Sequence, residues 1–366
     1  MQGSPVKPRL LLSFPFAESG GGWNIPLGES CAQALEEMGF EVCRFNPVEE
    51  KIDFPGRKAL ERLLVLGCRL GGVSKERAKR LLPWDEEHRR FQRLSQVAEQ
   101  FRPEVVLVVS TFTYPQEVLD RLRRQAGVRH LLGWCVEGPS WMRSPVAEAA
   151  LYDSYFCIHR HGIGPESGIG YLPAIAYDPG HYRRLQPALP KCRDISFVGR
   201  LKDRRLELLR QVLDYDLHLF GPGWDQCGEA FLPRVKGSMI VGEALSRLYN
   251  ESKIVLNVSA WENDGQDCPN LRIADVPATG SFLLSDYSDY AAELFKPGVE
   301  MEFYSSVAEL RDKLDFYLAN DAAREKIAQA GYARALRLET YPDKMRTLLS
   351  QSAVPLPEPR QAGRRI

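Results

Sequence analysis

The strongest constraint on this chain is an alternation that runs, stops and resumes. Short apolar runs at 9–14, 41–45, 105–109, 130–134 and 155–159 are separated by helix-compatible stretches, and a second series follows at 195–198, 217–220, 254–258, 281–284 and 300–303. Runs this short and apolar suit strands covered on both faces. A helix between successive strands returns the chain to the same sheet edge, so both sheets are predicted to be parallel. The stretch Tyr171-Leu-Pro-Ala-Ile-Ala-Tyr-Asp-Pro179 breaks the pattern with two prolines, which disfavour helix in the residues before them and set the crossover there. The prediction is an α/β protein of two facing, Rossmann-like, doubly wound domains with a cleft between them, at residues 1–178 and 179–335. A final helix and basic tail at 336–366 cross back onto the first domain. The length of 366 residues agrees, at roughly 150 residues per domain.

Within the first series, Gly20, Gly21 and Gly22 lie between the first strand and a helix that Gly39 stops, which places a glycine loop at the carboxyl edge of the sheet. Residues 57–100 are rich in Leu, Arg and Glu at helical spacing and are broken at Gly71-Gly72 and Pro83. They read as a helical insert that packs on the sheet or projects from it. In the second series, Ser306-Val-Ala-Glu309 is a capping-box pattern, Asp321 is placed to cap the next helix, and the last helix spans about 340–349.

Composition excludes several classes. Hydrophobic residues at 44% and charged residues at 26% support packed cores, and 48 Lys plus Arg against 48 Asp plus Glu leave no global field to attract nucleic acid. The apolar run at 10–16 is far shorter than a signal h-region or membrane span, so a soluble, cytoplasmic protein is expected. Eight cysteines without a CxxC pair read as reduced core thiols, neither a zinc site nor a disulfide framework.

The first loop does not fit a dinucleotide. Ile25 follows Gly20 and Gly22 where a third glycine belongs, and the second strand ends at Phe45-Asn46 with no acid for a ribose, so no NAD or FAD cofactor is expected. The second half carries more chemistry. Gly199 and Arg200 follow a strand and Arg204 and Arg205 open the next helix, so amides and guanidinium groups there either converge on a diphosphate or make a solvated basic helix end. In Phe220-Gly221-Pro-Gly-Trp224 the glycines allow a sharp turn. Trp224 then packs on a base or sugar, or wedges into its own domain. Asp267 and Asp275 are separated by seven residues around Asn270 and Arg272 and run into Thr279-Gly280. An acceptor-only carboxylate suits a ribose diol, and a nearby Arg suits phosphate. Glu137 follows a strand on the cleft side, where it can position or deprotonate an acceptor hydroxyl, and His159 and His161 share a face if their strand continues. Each of these three also has a purely structural reading. Asp214-Tyr-Asp216 has metal-binding spacing but sits away from the carboxyl edge.

Taken as an ordered set, Asp194-Ile-Ser-Phe-Val-Gly-Arg200, Leu219-Phe-Gly-Pro-Gly-Trp224, Leu248-Tyr-Asn-Glu-Ser-Lys-Ile-Val-Leu-Asn257, Asn270-Leu-Arg-Ile-Ala-Asp275, Pro277-Ala-Thr-Gly-Ser-Phe-Leu-Leu284, Glu293-Leu-Phe-Lys-Pro-Gly-Val-Glu300 and Thr340-Tyr341 resemble the CgeB-type family of glycosyltransferase-like proteins. The resemblance spans about 194–341, with weaker landmarks at Trp134-Cys-Val-Glu137-Gly-Pro139 and Tyr171-Leu-Pro173. It implies the GT-B fold and transfer of a sugar from a nucleoside-diphosphate sugar, without a metal and with retention, by analogy with families bearing two acids seven residues apart. In those families the second acid binds the donor ribose. Asp275 takes that place and Asp267 the first, although the CgeB-like motif usually has Glu at the second.

On this reading Arg200, Arg205 and the Thr279-Gly280 region stabilise the leaving diphosphate, Asp275 fixes the ribose, and Gly199, Gly221, Trp224, Asn270 and Arg272 complete the donor site. Glu137 serves the acceptor, which is a saccharide, a glycolipid or a protein, and His159 and His161 contact the donor phosphate or the acceptor. The rival reading is a catalytically weak nucleotide-sugar or glycan-binding protein in surface-layer or spore-coat assembly.

Overall fold

The computed structural model describes residues 7–16, 25–49, 51–79, 82–109, 112–136, 145–159, 165–259 and 270–357. Among these residues, twelve strands form two six-stranded parallel sheets. The first holds β1 (Arg9–Ser13), β2 (Glu41–Phe45), β3 (Val105–Val109), β4 (His130–Cys135), β5 (Ser154–Cys157) and β6 (Ile169–Tyr171), in the order β2-β1-β3-β4-β5-β6. The second holds β7 (Arg193–Val198), β8 (Leu217–Phe220), β9 (Val235–Gly237), β10 (Ser252–Asn257), β11 (Leu283–Asp286) and β12 (Glu302–Tyr304), in the order β12-β11-β10-β7-β8-β9. Each sheet thus reverses direction once, between β1 and β3 in the first and between β7 and β10 in the second. Ligands of open α/β sheets gather at the carboxyl ends of such a switch point.

The helices of the first half are α1 (Ile25–Glu37), α2 (Arg57–Leu70), α3 (Lys75–Lys79), α4 (Glu86–Phe101), α5 (Gln116–Arg121) and α6 (Pro145–Ala149). Those of the second are α7 (Asp203–Arg210), α8 (Gly242–Glu251), α9 (Arg272–Ala278), α10 (Asp289–Leu294), α11 (Val307–Ala319), α12 (Asp321–Ala335) and α13 (Tyr341–Gln351). Their ends follow from side-chain capping. Asp85 accepts from the His88 amide at 2.8 Å to open α4, and Thr340 and Asp343 make a reciprocal capping box on α13. At α11 Ser306 accepts from the Glu309 amide, but Glu309 reaches back one residue further, to the Ser305 amide. The expected Asp321 cap is not formed: Asn320 occupies the cap position, and Asp321 lies inside α12, where it pairs with Arg324 at 2.8 Å.

One apolar cluster joins the two sheets. It runs from Leu10 and Leu12 through Leu27, Tyr182 and Tyr249 to Val255 and Ile273, and on to Leu348 and Leu349 of α13, which packs on α1. The chain passes between the halves twice, side by side, and the Tyr177 amide donates to Glu339 O at 2.8 Å where the passages meet.

Candidate functional site

The switch point of the second sheet is spanned by one side chain. Arg205, in the first turn of α7 and only 6% exposed, donates from Nε to Val258 O at 3.0 Å and from Nη1 to Arg200 O at 2.9 Å, so it bridges the loops that leave β10 and β7. Arg272, the first residue of α9, donates from Nε to Asn257 Oδ1 at 2.9 Å, while its buried Nη2 has no hydrogen-bond partner among the described residues. Both guanidinium groups lie over the Phe197 ring, at 5.5 and 5.8 Å from its centroid. Burial and the neighbouring charge of Arg272 push Arg205 down to about 9, and burial lowers Arg272 as well. At about 9, Arg205 is still a cation at neutral pH. Two buried like charges, one with an open N–H, are arranged for an anion.

Around this pair the polar groups form a closed frame. Asp286, at the carboxyl end of β11, accepts from Arg204 Nη1 at 2.8 Å and from the Ser259 amide at 3.0 Å. Asn270 donates to Asn257 Oδ1 at 2.9 Å, and its own Oδ1 accepts from the Arg272 amide, which fixes the start of α9. Gly199 sits directly under the Arg205 guanidinium. Gly221 holds φ +136, and a Cβ there would lie 2.2 Å from Gly199 O, so only glycine lets the β7 and β8 loops approach this closely. Arg200 is exposed at the rim.

Asp275 lies one turn into α9 and is 7% exposed, and among the described residues its carboxylate makes no hydrogen bond. Burial, then the charge of Asp178, hold its carboxyl well above the ordinary carboxylate range, against the opposing pull of Arg272. Tyr182 and Tyr249, stacked at 6.3 Å, lie within reach of its charge. Asp178 is tied to the first half: Ser30 of α1 donates to its Oδ2, and His181 Nδ1 lies 3.0 Å from the same oxygen. That contact raises the His181 pKa.

Two expected donor contacts are corrected. Trp224 is fully buried, donates its indole N–H to Gly199 O at 2.7 Å and packs edge-on to Phe197 and against Phe231, so it is a core residue with no face left for a base. Thr279 and Gly280 follow the carboxyl end of α9, at the opposite end of the helix from Arg272. The Thr279 hydroxyl donates to Val276 O at 2.7 Å, and the negative end of the helix dipole disfavours a diphosphate there. In the first half, His159 lies just beyond the carboxyl end of β5 and is 2% exposed. Glu137 and His161 lie outside the described residues, as does Asp267. Asp214 pairs with Arg311, and Asp216 approaches His218, away from the cleft edge.

Sequence reasoning missed Asp178, Asp286, Tyr182 and Tyr249. Asp286 had a readable signal, an acid at the end of a cleft-side strand. Asp178 had been read only as part of the crossover.

Comparison with solved structures settles the architecture. The sucrose-phosphate synthase of Thermosynechococcus elongatus superposes with a TM-score of 0.64 at 14% identity, covering 94% of this chain and 98% of that one. Anabaena HepE in complex with UDP and glucose superposes with a TM-score of 0.62 at 12% identity, covering 94% and 99%. The fold is GT-B. Residues 203–350 match the family of glycosyl transferase-like domains. That match holds Arg204, Arg205, Arg272, Asp275 and Asp286, and the GT-B cleft is the edge on which they stand. No curated protein matches the chain in sequence.

Proposed function

We propose that the chain is a glycosyltransferase, CgeB-type, which moves a sugar from a nucleoside-diphosphate sugar to a saccharide, glycolipid or protein acceptor in the cytoplasm. The observation that carries this reading is the Arg205–Arg272 pair. Among the described residues neither guanidinium is hydrogen-bonded to a carboxylate, and both sit at the switch point of the sheet inside the glycosyl transferase-like segment. Two fixed positive charges stabilise a leaving diphosphate as a metal ion does elsewhere, which supports metal-independent chemistry. Asp275, one turn deeper in α9, is assigned the donor ribose, and retention of configuration follows the same analogy. Complexes of HepE with UDP and with UDP-glucose favour a uridine donor here. Glu137, His159 and His161 are assigned to the acceptor.

Thermal shift with nucleoside diphosphates and their sugars tests the donor half, because a ligand that binds only the folded state raises its stability, by about 2.7 kcal/mol at a hundred times Kd. UDP and UDP-glucose are expected to raise Tm. Release of UDP in the presence of saccharide, glycolipid or protein acceptors tests the transfer. No shift with any nucleotide overturns the reading, and a shift without turnover supports a nucleotide-sugar-binding protein instead.

A further inference from the structure

Helix α2 turns the ordinary pattern of a surface helix inside out. Its inward side is narrow: Val65 is buried with Ala78 and Leu82, and Cys68, Val73 and Trp84 pack against them in a small cluster confined to the insert. Its outward side is apolar. Leu70 is 83% exposed, Leu63 67% and Leu66 54%, with Leu60 and Leu64 exposed beside them. At 100° per residue these leucines fill one continuous arc. Lys58, Arg62 and Arg69 fall together in a stripe along one border of it, between the apolar arc and the buried face. Isolated exposed leucines need no explanation, but five on one face of a fourteen-residue helix make a patch.

We propose that α2 docks this protein on an anionic lipid bilayer, with its leucines in the interface and its cationic stripe on the headgroups. The charge pattern selects this occupant. From Lys51 to Lys79 the sequence has eight Lys or Arg and three Asp or Glu, in a chain that as a whole has 48 of each sign. Anionic headgroups above an acyl boundary satisfy the stripe and the leucines together. A second copy satisfies only the leucines, because the one acid of α2, Glu61, faces Lys79 at 3.8 Å and leaves no carboxylate for the stripe. Among the described residues no helix is long and apolar enough to cross a membrane, so the contact is peripheral. The insert follows β2, and β2 ends at the carboxyl edge that borders the cleft, so a docked molecule holds that side of the cleft close to the lipid. Docking itself does not depend on the proposed activity.

Co-sedimentation of the full chain with large vesicles of phosphatidylcholine, alone or with phosphatidylglycerol added, tests the proposal. Binding is expected to the anionic vesicles, weaker at high salt, and little to the neutral ones. Lys58→Glu with Arg62→Glu and Arg69→Glu should reduce partitioning by about a hundredfold, from about 1 kcal/mol for each basic residue near the surface. Leu63→Ser with Leu66→Ser and Leu70→Ser should abolish it. These side chains point to solvent, so both variants should keep the wild-type circular dichroism. Failure of the wild type to sediment with anionic vesicles overturns the proposal, as does sedimentation of both folded variants as well as wild type. Concentration-dependent dimerisation without lipid, lost in the serine variant, assigns the face to a second copy and also overturns it.

Discussion

The two sheets have the same strand count and direction, yet their carboxyl edges differ in kind. At the edge of the second sheet, Arg204, Arg205, Asn257, Asn270, Arg272 and Asp286 come from four separate segments and are held by hydrogen bonds to one another and, for Arg205, to the backbone of Val258 and Arg200. Among the described residues, the first sheet's edge shows aromatic and small polar groups: Phe14 against Phe16, a Ser13–Tyr114 hydrogen bond at 3.1 Å, and buried His159. Among the described residues, Arg89 and Arg93 at the first edge pair with Glu49 at 3.2 and 2.7 Å, whereas Arg205 and Arg272 make no hydrogen bond to a carboxylate. A diphosphate is the same in every donor and rewards a rigid, preorganised cationic frame. An edge whose charges already pair with one another is free to suit a particular partner. The comparison predicts that changes at the second edge act through binding of a charged ligand.

The largest effect is expected at Arg205. Arg205→Ala should weaken nucleoside diphosphate and nucleotide-sugar alike, by roughly 1.5 to 3 kcal/mol, because both carry the phosphates. Calorimetric titration of UDP and UDP-glucose into the folded variant checks it. Unchanged affinity would remove the charge from the site and break the contrast between the edges.

How much of this was legible in the sequence follows the range of the forces involved. The alternation located ten of the twelve strands, because central parallel strands such as Val105–Val109 are buried along their whole length and must be apolar. β6 and β9 escaped. They are three-residue edge strands, Ile-Gly-Tyr and Val-Lys-Gly, with no apolar run to read. At the site, Arg205, Arg272 and Asp275 were readable because helix starts and one-turn spacing are local. Asp286 carried a local signal, its place at the end of a strand, but its partner Arg204 lies 82 residues away, and Asp178, whose partner Ser30 lies 148 residues away, carried none. Trp224 was read in two ways because the glycines before it suggest close approach of a ligand. What approaches is the carbonyl of Gly199.

A middle-sized effect is expected at Asp275, and it should show two signs at once. Its folded-state pKa is raised, so the group favours folding fully only below its unfolded value, and that contribution is lost as pH climbs through the folded pKa. Asp275→Asn removes a buried acid whose ionisation the folded state disfavours, so Tm at neutral pH should rise. If the carboxylate receives a ribose diol, donor affinity should fall about tenfold, or roughly 1.4 kcal/mol. A 2′,3′-dideoxy nucleotide should bind wild type and variant equally. A lower Tm with equal losses for both nucleotides would make Asp275 a support of the fold and erase its place in the donor frame.

The smallest effect tests the seam between the edges, where Asp178 joins the first half to the second. His181 is raised above its usual 6.5 chiefly by its hydrogen bond to Asp178, with the charges of Asp178 and Glu29 adding to it and burial opposing. A raised histidine contributes stability that is fully present below the unfolded pKa and is lost as pH rises through the folded one. The pair should therefore stabilise the crossover in mildly acidic solution and release it on the alkaline side. His181→Ala should lower Tm below pH 6.5 and converge with wild type at higher pH. The difference should stay under about 1 kcal/mol, because the imidazole is partly open to solvent. The same substitution leaves Asp178 held by Ser30. Melting curves of both proteins across this range decide it. A pH-independent gap in Tm would show that His181 acts by packing, and the electrostatic link from α1 through Asp178 to Asp275 would then be broken.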